Sequence, residues 1–202
     1  MAVDDVVVVT GFGPFSTFTE NPSSQIVDEL ERQKIPGFDG RLVTEKMNCL
    51  YAEVDETVKR LWKEHSPKLV VHIGVHPHIH RQINLEQRSF GRGYCRYDNE
   101  GCVPVDNVCS TCSDPILKSS IDCNAIASQV ARELEFKNLR VKASDDPGRF
   151  LCAYSFYLSL SFDVNRAIFI HVPPFDSSCT LEMVTAAVQT TIVAILSSLD
   201  GS

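Results

Sequence analysis

Three short apolar runs do most to limit how this chain can fold. They are Val6–Thr10, closed by Gly11, then Lys68–Gly74 (KLVVHIG), and Ala167–Val172 (AIFIHV). Each has the length of a strand, and Val6–Thr10 and Lys68–Gly74 read as strands buried within a sheet. Arg41–Met47 and Leu139–Ala143 read as further strands. Between them lie segments with helical spacing. Asn21-Pro22 offers an N-cap and a first-turn proline, followed by the stripe Ile26, Val27 and Leu30. Ala52–His65, the segment opened by Asp122 (Ile126, Val130, Leu134), Arg149–Ser161 and Thr180–Leu199 repeat the pattern. Strands alternating with helices predict an α/β domain with a largely parallel sheet and helices on both faces.

Positions 76–120 break this rhythm. They hold Cys95, Cys102, Cys109 and Cys112 together with Gly91, Gly93, Gly101, Pro104 and Pro115. Their weak periodicity predicts a loop-rich excursion within a single domain spanning 1–202, and long irregular segments in compact domains are usually functional or mobile. The 202 residues, 44% hydrophobic, suffice for one core without covalent staples. The formal net charge of −7 makes a nucleic-acid backbone an unexpected partner. The opening MAVDDVVVVTGFGPF has no basic stretch before its apolar run, so it does not read as a signal peptide. No later segment reads as a membrane span, so a cytoplasmic protein is expected. In that compartment the eight cysteines are expected to be mostly free thiols.

In open α/β sheets, ligands gather where strands end. Gly11–Phe15, Gly74–His80, Ser144–Cys152 and His171–Phe175 all follow predicted strands and are candidates to line one crevice. Cys152 follows the break Asp146-Pro147-Gly148 and would lie in the first turns of a helix, where unpaired N–H groups and the helix dipole favour a thiolate. Position alone favours a small core residue instead. His171, at the end of a strand before two prolines, could serve as general base, or be a hydrogen-bonded core histidine. Glu86, ending the short apolar run INLE, could orient such a histidine, or be an exposed surface residue. His72, inside a strand, reads as structural.

Metal sites read weakly. Cys109-Ser-Thr-Cys112 lacks a second well-spaced pair, since Cys95 and Cys102 lie seven apart. His76, His78 and His80 alternate, and on a strand would share one face. Gly11-Phe-Gly13 lacks the third glycine of a dinucleotide loop. No metal is the expectation, with structural zinc at Cys109 and Cys112 the minor alternative.

Several stretches, taken in order, resemble the pyroglutamyl peptidase I (pyrrolidone-carboxylate peptidase) family of cysteine peptidases. VVVTGFGPFSTFTENPSSQIVDEL is similar to its T-G-F-x-P-F segment, N-P-S and following helix. DPGRFLCAYSFY is similar to its A-G-x-(Phe/Tyr)-x-C motif, and AIFIHVPP to its F-I-H-(Ile/Val)-P segment. KLVVHIGV, LEQ and DNEG fall between them in the family's order, so the resemblance covers nearly the whole chain. It implies a three-layer α/β/α sandwich with a mostly parallel, mixed sheet, no cofactor, a cytosolic setting, and removal of N-terminal pyroglutamate from peptides. It also implies Cys152 as nucleophile, His171 as base, Glu86 as third member, and Phe12 and Phe15 against the pyroglutamyl ring. The chain departs from the family pattern at Ala153, Gln87 and Val75–His80. The alternative reading is therefore a relative with weakened or redirected catalysis that serves as a binding protein. The oxyanion could be held by the Cys152 backbone N–H, with Arg92 or Arg96 adding charge.

Overall fold

A computed structural model describes residues 5–16, 18–134 and 138–201. Its elements, in chain order, are β1 (Val6–Phe12), α1 (Pro22–Gln33), β2 (Arg41–Met47), α2 (Tyr51–His65), β3 (Leu69–Val75), β4 (Gln82–Glu86), β5 (Arg88–Phe90), β6 (Ile116–Lys118), α3 (Cys123–Glu133), β7 (Arg140–Ser144), α4 (Leu151–Phe162), β8 (Ala167–Val172) and α5 (Leu181–Asp200). The central sheet has the order β2-β1-β3-β8-β4-β7, and β5 and β6 form a separate antiparallel pair.

Side-chain alternation builds the two outer layers. Val7 and Val9, Val71 and Ile73, Ile83 and Leu85, and Ile168 and Ile170 point to one face, where α1, α3 and α5 close a core. Val6, Val8, Phe12, Val70, Ala167 and Phe169 point to the other, against α2 and α4. The result is the expected α/β/α sandwich. The chain moves from β1 outward to β2 and back across to β3, so right-handed connections put α1 and α2 on opposite faces. That reversal also opens a crevice at the carboxyl ends of β1 and β3.

Local chemistry starts the helices where the sequence suggested. Asn21 accepts from Ser23 N–H at 3.1 Å, and Asp122 accepts from Asn124 and Ala125 N–H at 3.0 Å each. Gly11 is needed where α1 crosses β1: an added Cβ would lie 2.7 Å from the Ser23 carbonyl oxygen.

Three expectations change. The sheet is mixed, as the resemblance implied, but the carboxyl end of β7 is not where the strand pattern put it: β8 and β4 pair antiparallel and β4 and β7 pair parallel, so β7 runs opposite to β1, β3 and β8. Ser144 therefore ends β7 away from the crevice edge, and the chain returns to that edge only through the loop before α4. His76, His78 and His80 lie beyond the end of β3 in a turn, not on a strand. α5 is long and apolar enough to cross a membrane, by length and composition, contrary to the reading of the sequence. Its Val184, Ala187, Val188, Ile192 and Ile195 are buried in the core beside α1 and α3.

Candidate active site

A cavity of about 450 Å³ opens at the β1/β3 edge, and members of all four expected segments line it: Phe12 and Phe15, Val75 to His78, Pro147 to Cys152, and His171. The site is assembled on the α4 face of the sheet. His171 and Phe169 alternate onto that face from β8, and Asn84 and Glu86 do so from the neighbouring antiparallel strand. Glu86 pairs with Phe169 across the ladder, so its side chain reaches the ring two residues further on. Its Oε1 lies 2.8 Å from His171 Nδ1, and both side chains are buried. A carboxylate only accepts, so Nδ1 carries the hydrogen and donates it. Nε2 of the neutral ring is then left with a free lone pair. Glu86 is fully buried, not on the surface, because β4 is flanked by β8 and β7.

Cys152 is the second residue of α4. The loop that delivers it is an Asx turn: Asp146 Oδ1 accepts from Gly148 N–H at 3.1 Å and from Arg149 at 2.7 Å, with Gly148 at φ +78. Phe150 caps the helix in extended conformation and gives it no side-chain acceptor. The first-turn N–H groups thus have no capping side chain and can serve a ligand. The Cys152 sulfur faces Gly74, which is the register partner of His171 on β3. A Cβ on Gly74 would sit 2.9 Å from that sulfur and 2.7 Å from the Phe169 ring. Only glycine leaves this space.

The sequence suggested a thiolate favoured by the helix terminus. The environment does the reverse. Burial pushes the Cys152 thiol up, and Cys49 and Glu86 add to it. Its own backbone N–H and Arg96 oppose the effect without cancelling it. These surroundings disfavour the thiolate, and a base beside the thiol would offset that.

One end of the cavity is aromatic. Phe15 and Phe150 lie 4.9 Å apart, centroid to centroid, and the Arg96 guanidinium stands 4.7 Å from the first ring and 4.6 Å from the second. Arg96 lines the cavity and Arg92 does not, which separates the two arginines the sequence had left equivalent. The Arg96 carbonyl accepts from the Tyr51 hydroxyl at 3.2 Å, and Asn99 reaches the Pro14 carbonyl at 3.1 Å. The loop-rich segment is thereby tied to the chain beside Phe15. Phe150, with its aromatic place in the motif before Cys152, could have been singled out from sequence. Cys49 could not: nothing in its surroundings marks it, yet it lines the cavity with its thiol pushed up to about 12, by burial first.

The departures at Gln87 and Ala153 lie outside the cavity. Gln87 donates to the Ser119 and Ile121 carbonyls and accepts from Cys123 N–H, clamping the end of β4 to the start of α3. The Ala153 carbonyl accepts from Ser89 Oγ at 2.6 Å. His72 bonds Thr10 Oγ1 and Ser159 Oγ at 2.6 and 2.7 Å, deep in the protein. Among the described residues, no cluster of three or more His, Cys, Asp or Glu side chains could hold a metal.

Residues 1–176 match the sequence model of a family described as "Putative pyroglutamyl peptidase PgaPase_1". The chain is 33% identical over 196 residues to human pyroglutamyl-peptidase 1, covering 97% of this chain and 92% of the relative. Its fold is similar to that of the pyrrolidone carboxyl peptidase from Thermococcus litoralis, with a TM-score of 0.80, 21% identity, and 98% and 96% of the two chains covered. A mutant pyrrolidone carboxyl peptidase from Pyrococcus furiosus gives a TM-score of 0.83 at 23% identity, over 96% and 99% of the chains.

Proposed function

The chain belongs to the pyroglutamyl peptidase I family, and on that premise we propose that it is a cysteine peptidase that hydrolyses the N-terminal pyroglutamyl residue from peptides. The observation that carries this reading is the buried Glu86–His171 contact of 2.8 Å, opening onto the cavity that Cys152 lines. The pyroglutamyl lactam is flat and neutral. Aromatic walls at Phe12, Phe15 and Phe150 suit its ring.

In this mechanism Cys152 is neutral at rest. As its sulfur attacks the peptide carbonyl, His171 Nε2 takes the thiol proton. Glu86 holds the ring in the right tautomer and stabilises the imidazolium that forms. The carbonyl oxygen, now carrying the displaced electron pair, is met by the uncapped first-turn N–H groups of α4, with Arg96 adding positive charge. Collapse breaks the C–N bond, and His171 returns the proton to the departing amine. Water, activated by the same Nε2, then cleaves the thioester and releases pyroglutamate and the thiol. No step needs a group from outside the chain other than water.

We read residues 1–202 as one peptidase domain, supported by a single central sheet whose two outer layers draw on helices from α1 to α5. A cytoplasmic setting is supported by eight free cysteines. The test is hydrolysis of a fluorogenic pyroglutamyl-coumarin amide in reducing buffer. Turnover by the wild type and none by Cys152→Ala is expected; equal rates for the two would reject the reading.

A further inference from the structure

The His76–His78 turn lines the cavity beside His171, the side on which the proposed mechanism releases the leaving amine. His171 protonates that amine, so the first residue after the scissile bond leaves alongside the His171 ring. The next ring outward is His76, edge-on at 5.3 Å, and beyond it His78, edge-on to His76 at 6.0 Å. The three imidazoles form a row from the buried base to the exposed turn.

The row presents donors. His78 N–H donates to His76 Nδ1 at 3.3 Å, so the hydrogen of the neutral His76 ring sits on Nε2. His76 N–H is in turn held by the Val172 carbonyl at 2.9 Å, which fixes the turn to β8. Burial first, then His171 and His78, push the His76 imidazole below its ordinary value, and Glu86 opposes them. These surroundings favour the neutral His76 ring, whose Nε2–H is a donor.

The charge on the cavity wall has one sign and is carried by Arg96 and Arg149. Two arginines and three histidines line the cavity, and among the described residues no Asp or Glu does, in a chain whose formal net charge is −7. The carboxylates paired with lining side chains are already committed: Glu86 to His171, and Asp146 to Arg149. An N–H donor to a carboxylate makes a stronger bond than the same donor to a neutral amide.

We propose that His76 and His78 form a leaving-group subsite that selects pyroglutamyl peptides carrying a carboxylate on the residue after the scissile bond. This inference rests on the peptidase reading above. The carboxylate has two possible sources, an acidic side chain or the free C-terminus of a pyroglutamyl dipeptide, and the same donors serve both.

The test measures kcat/KM for four substrates: pyroglutamyl-Gln-amide, pyroglutamyl-Glu-amide, pyroglutamyl-Gln with a free carboxylate, and pyroglutamyl-Lys-amide. At least one carboxylate substrate is expected to exceed the neutral amide by about fivefold, with the lysine amide slowest. Which of the two gains identifies the source. The advantage is expected to shrink as salt is raised. In His76→Ala it falls to near one, and the exposed His78→Ala lowers it part of the way and guards against a folding defect in the first variant. Equal kcat/KM across the four substrates overturns the subsite, as does an advantage unchanged in both variants. Turnover of the neutral amide alone keeps the peptidase reading while the subsite fails. If no substrate is turned over, that reading fails, and calorimetry of the glutamyl and glutaminyl amides on Cys152→Ala decides the subsite: equal affinities reject it.

Discussion

Gly74 and Cys152 are fitted to each other across the β3–α4 contact: the strand lacks a side chain where the sulfur rests. A Cβ at Gly74 would lie 2.9 Å from the sulfur and 2.7 Å from the Phe169 ring. Phe169 packs against His171 at 4.7 Å, so the added methyl would disturb the cysteine and the histidine together. Gly74→Ala is expected to lower kcat by about a hundredfold, the scale of a misplacement near 1 Å between reacting groups. Its thermal melt should also fall, by about 1–3 kcal/mol of stability, because the Phe169 ring that the methyl meets is fully buried. Unchanged kcat in the variant would show that the sulfur's seat on the strand does not matter to the reaction.

Glu86→Gln keeps the size of the side chain and removes its charge. The amide can present its NH₂ to Nδ1 and so stabilise the wrong tautomer, leaving Nε2 protonated and unable to accept from the thiol. A loss of about 10²- to 10⁴-fold in kcat is expected, with a much smaller change in KM. Glu86→Ala should in addition destabilise the fold by about 1–3 kcal/mol, since it strands the buried His171 Nδ1–H. Urea melts of the two variants separate the effects.

How legible each part was in the sequence follows the range of the interaction behind it. The α1 start could be read from Asn21-Pro22-Ser23, because the cap bonds lie within two residues. The order of strands could be read only as alternation. The reversed direction of β4 and β7 depends on pairing Glu86 with Phe169, 83 positions away, and no local pattern encodes it. Glu86 illustrates the cost: at the end of a short apolar run it looks like a surface residue, and the sheet buries it completely. Cys152 shows the same limit for electrostatics. The helix N-terminus was visible in the sequence; the seat at Gly74 against which the sulfur rests was not. Phe12, Phe15, His171 and Cys152 came together through the family's motif order, which no single motif would have supplied.

A neutral resting thiol, as the proposed mechanism has it, carries a direct signature. A cysteine ion-paired as thiolate reacts with iodoacetamide at a rate that levels off at low pH. Burial pushes Cys152 the other way, so its alkylation rate should rise about tenfold per pH unit through the neutral range, tracking the scarce thiolate. Mass spectrometry of the Cys152 peptide follows it apart from the other seven thiols. A plateau below about pH 7 would indicate a preformed ion pair with His171 and remove the need for proton transfer during attack.

His72 should make the fold acid-sensitive without taking part in the reaction. It is fully buried between Thr10 Oγ1 at 2.6 Å and Ser159 Oγ at 2.7 Å, and burial pushes its imidazole down to about 3. In the unfolded chain the ring titrates near its ordinary value of about 6.5. Below about 6.5 the unfolded state binds a proton that the folded state refuses, until the pH reaches about 3. The stabilisation is therefore fully present above that window and lost as the pH falls through it, by up to about 1.4 kcal/mol per pH unit. Asp146 and Asp163, both held below the ordinary carboxylate value, contribute the same sign of change at lower pH. Urea unfolding of the wild type and of His72→Gln between about pH 7 and 4 separates them. The variant should start about 1–3 kcal/mol less stable, because its amide cannot satisfy both hydroxyls as the ring does. Its decline between about pH 6.5 and 4.5 should nonetheless be flatter than that of the wild type. Parallel curves would place the acid sensitivity in other groups and leave His72 a packing residue alone.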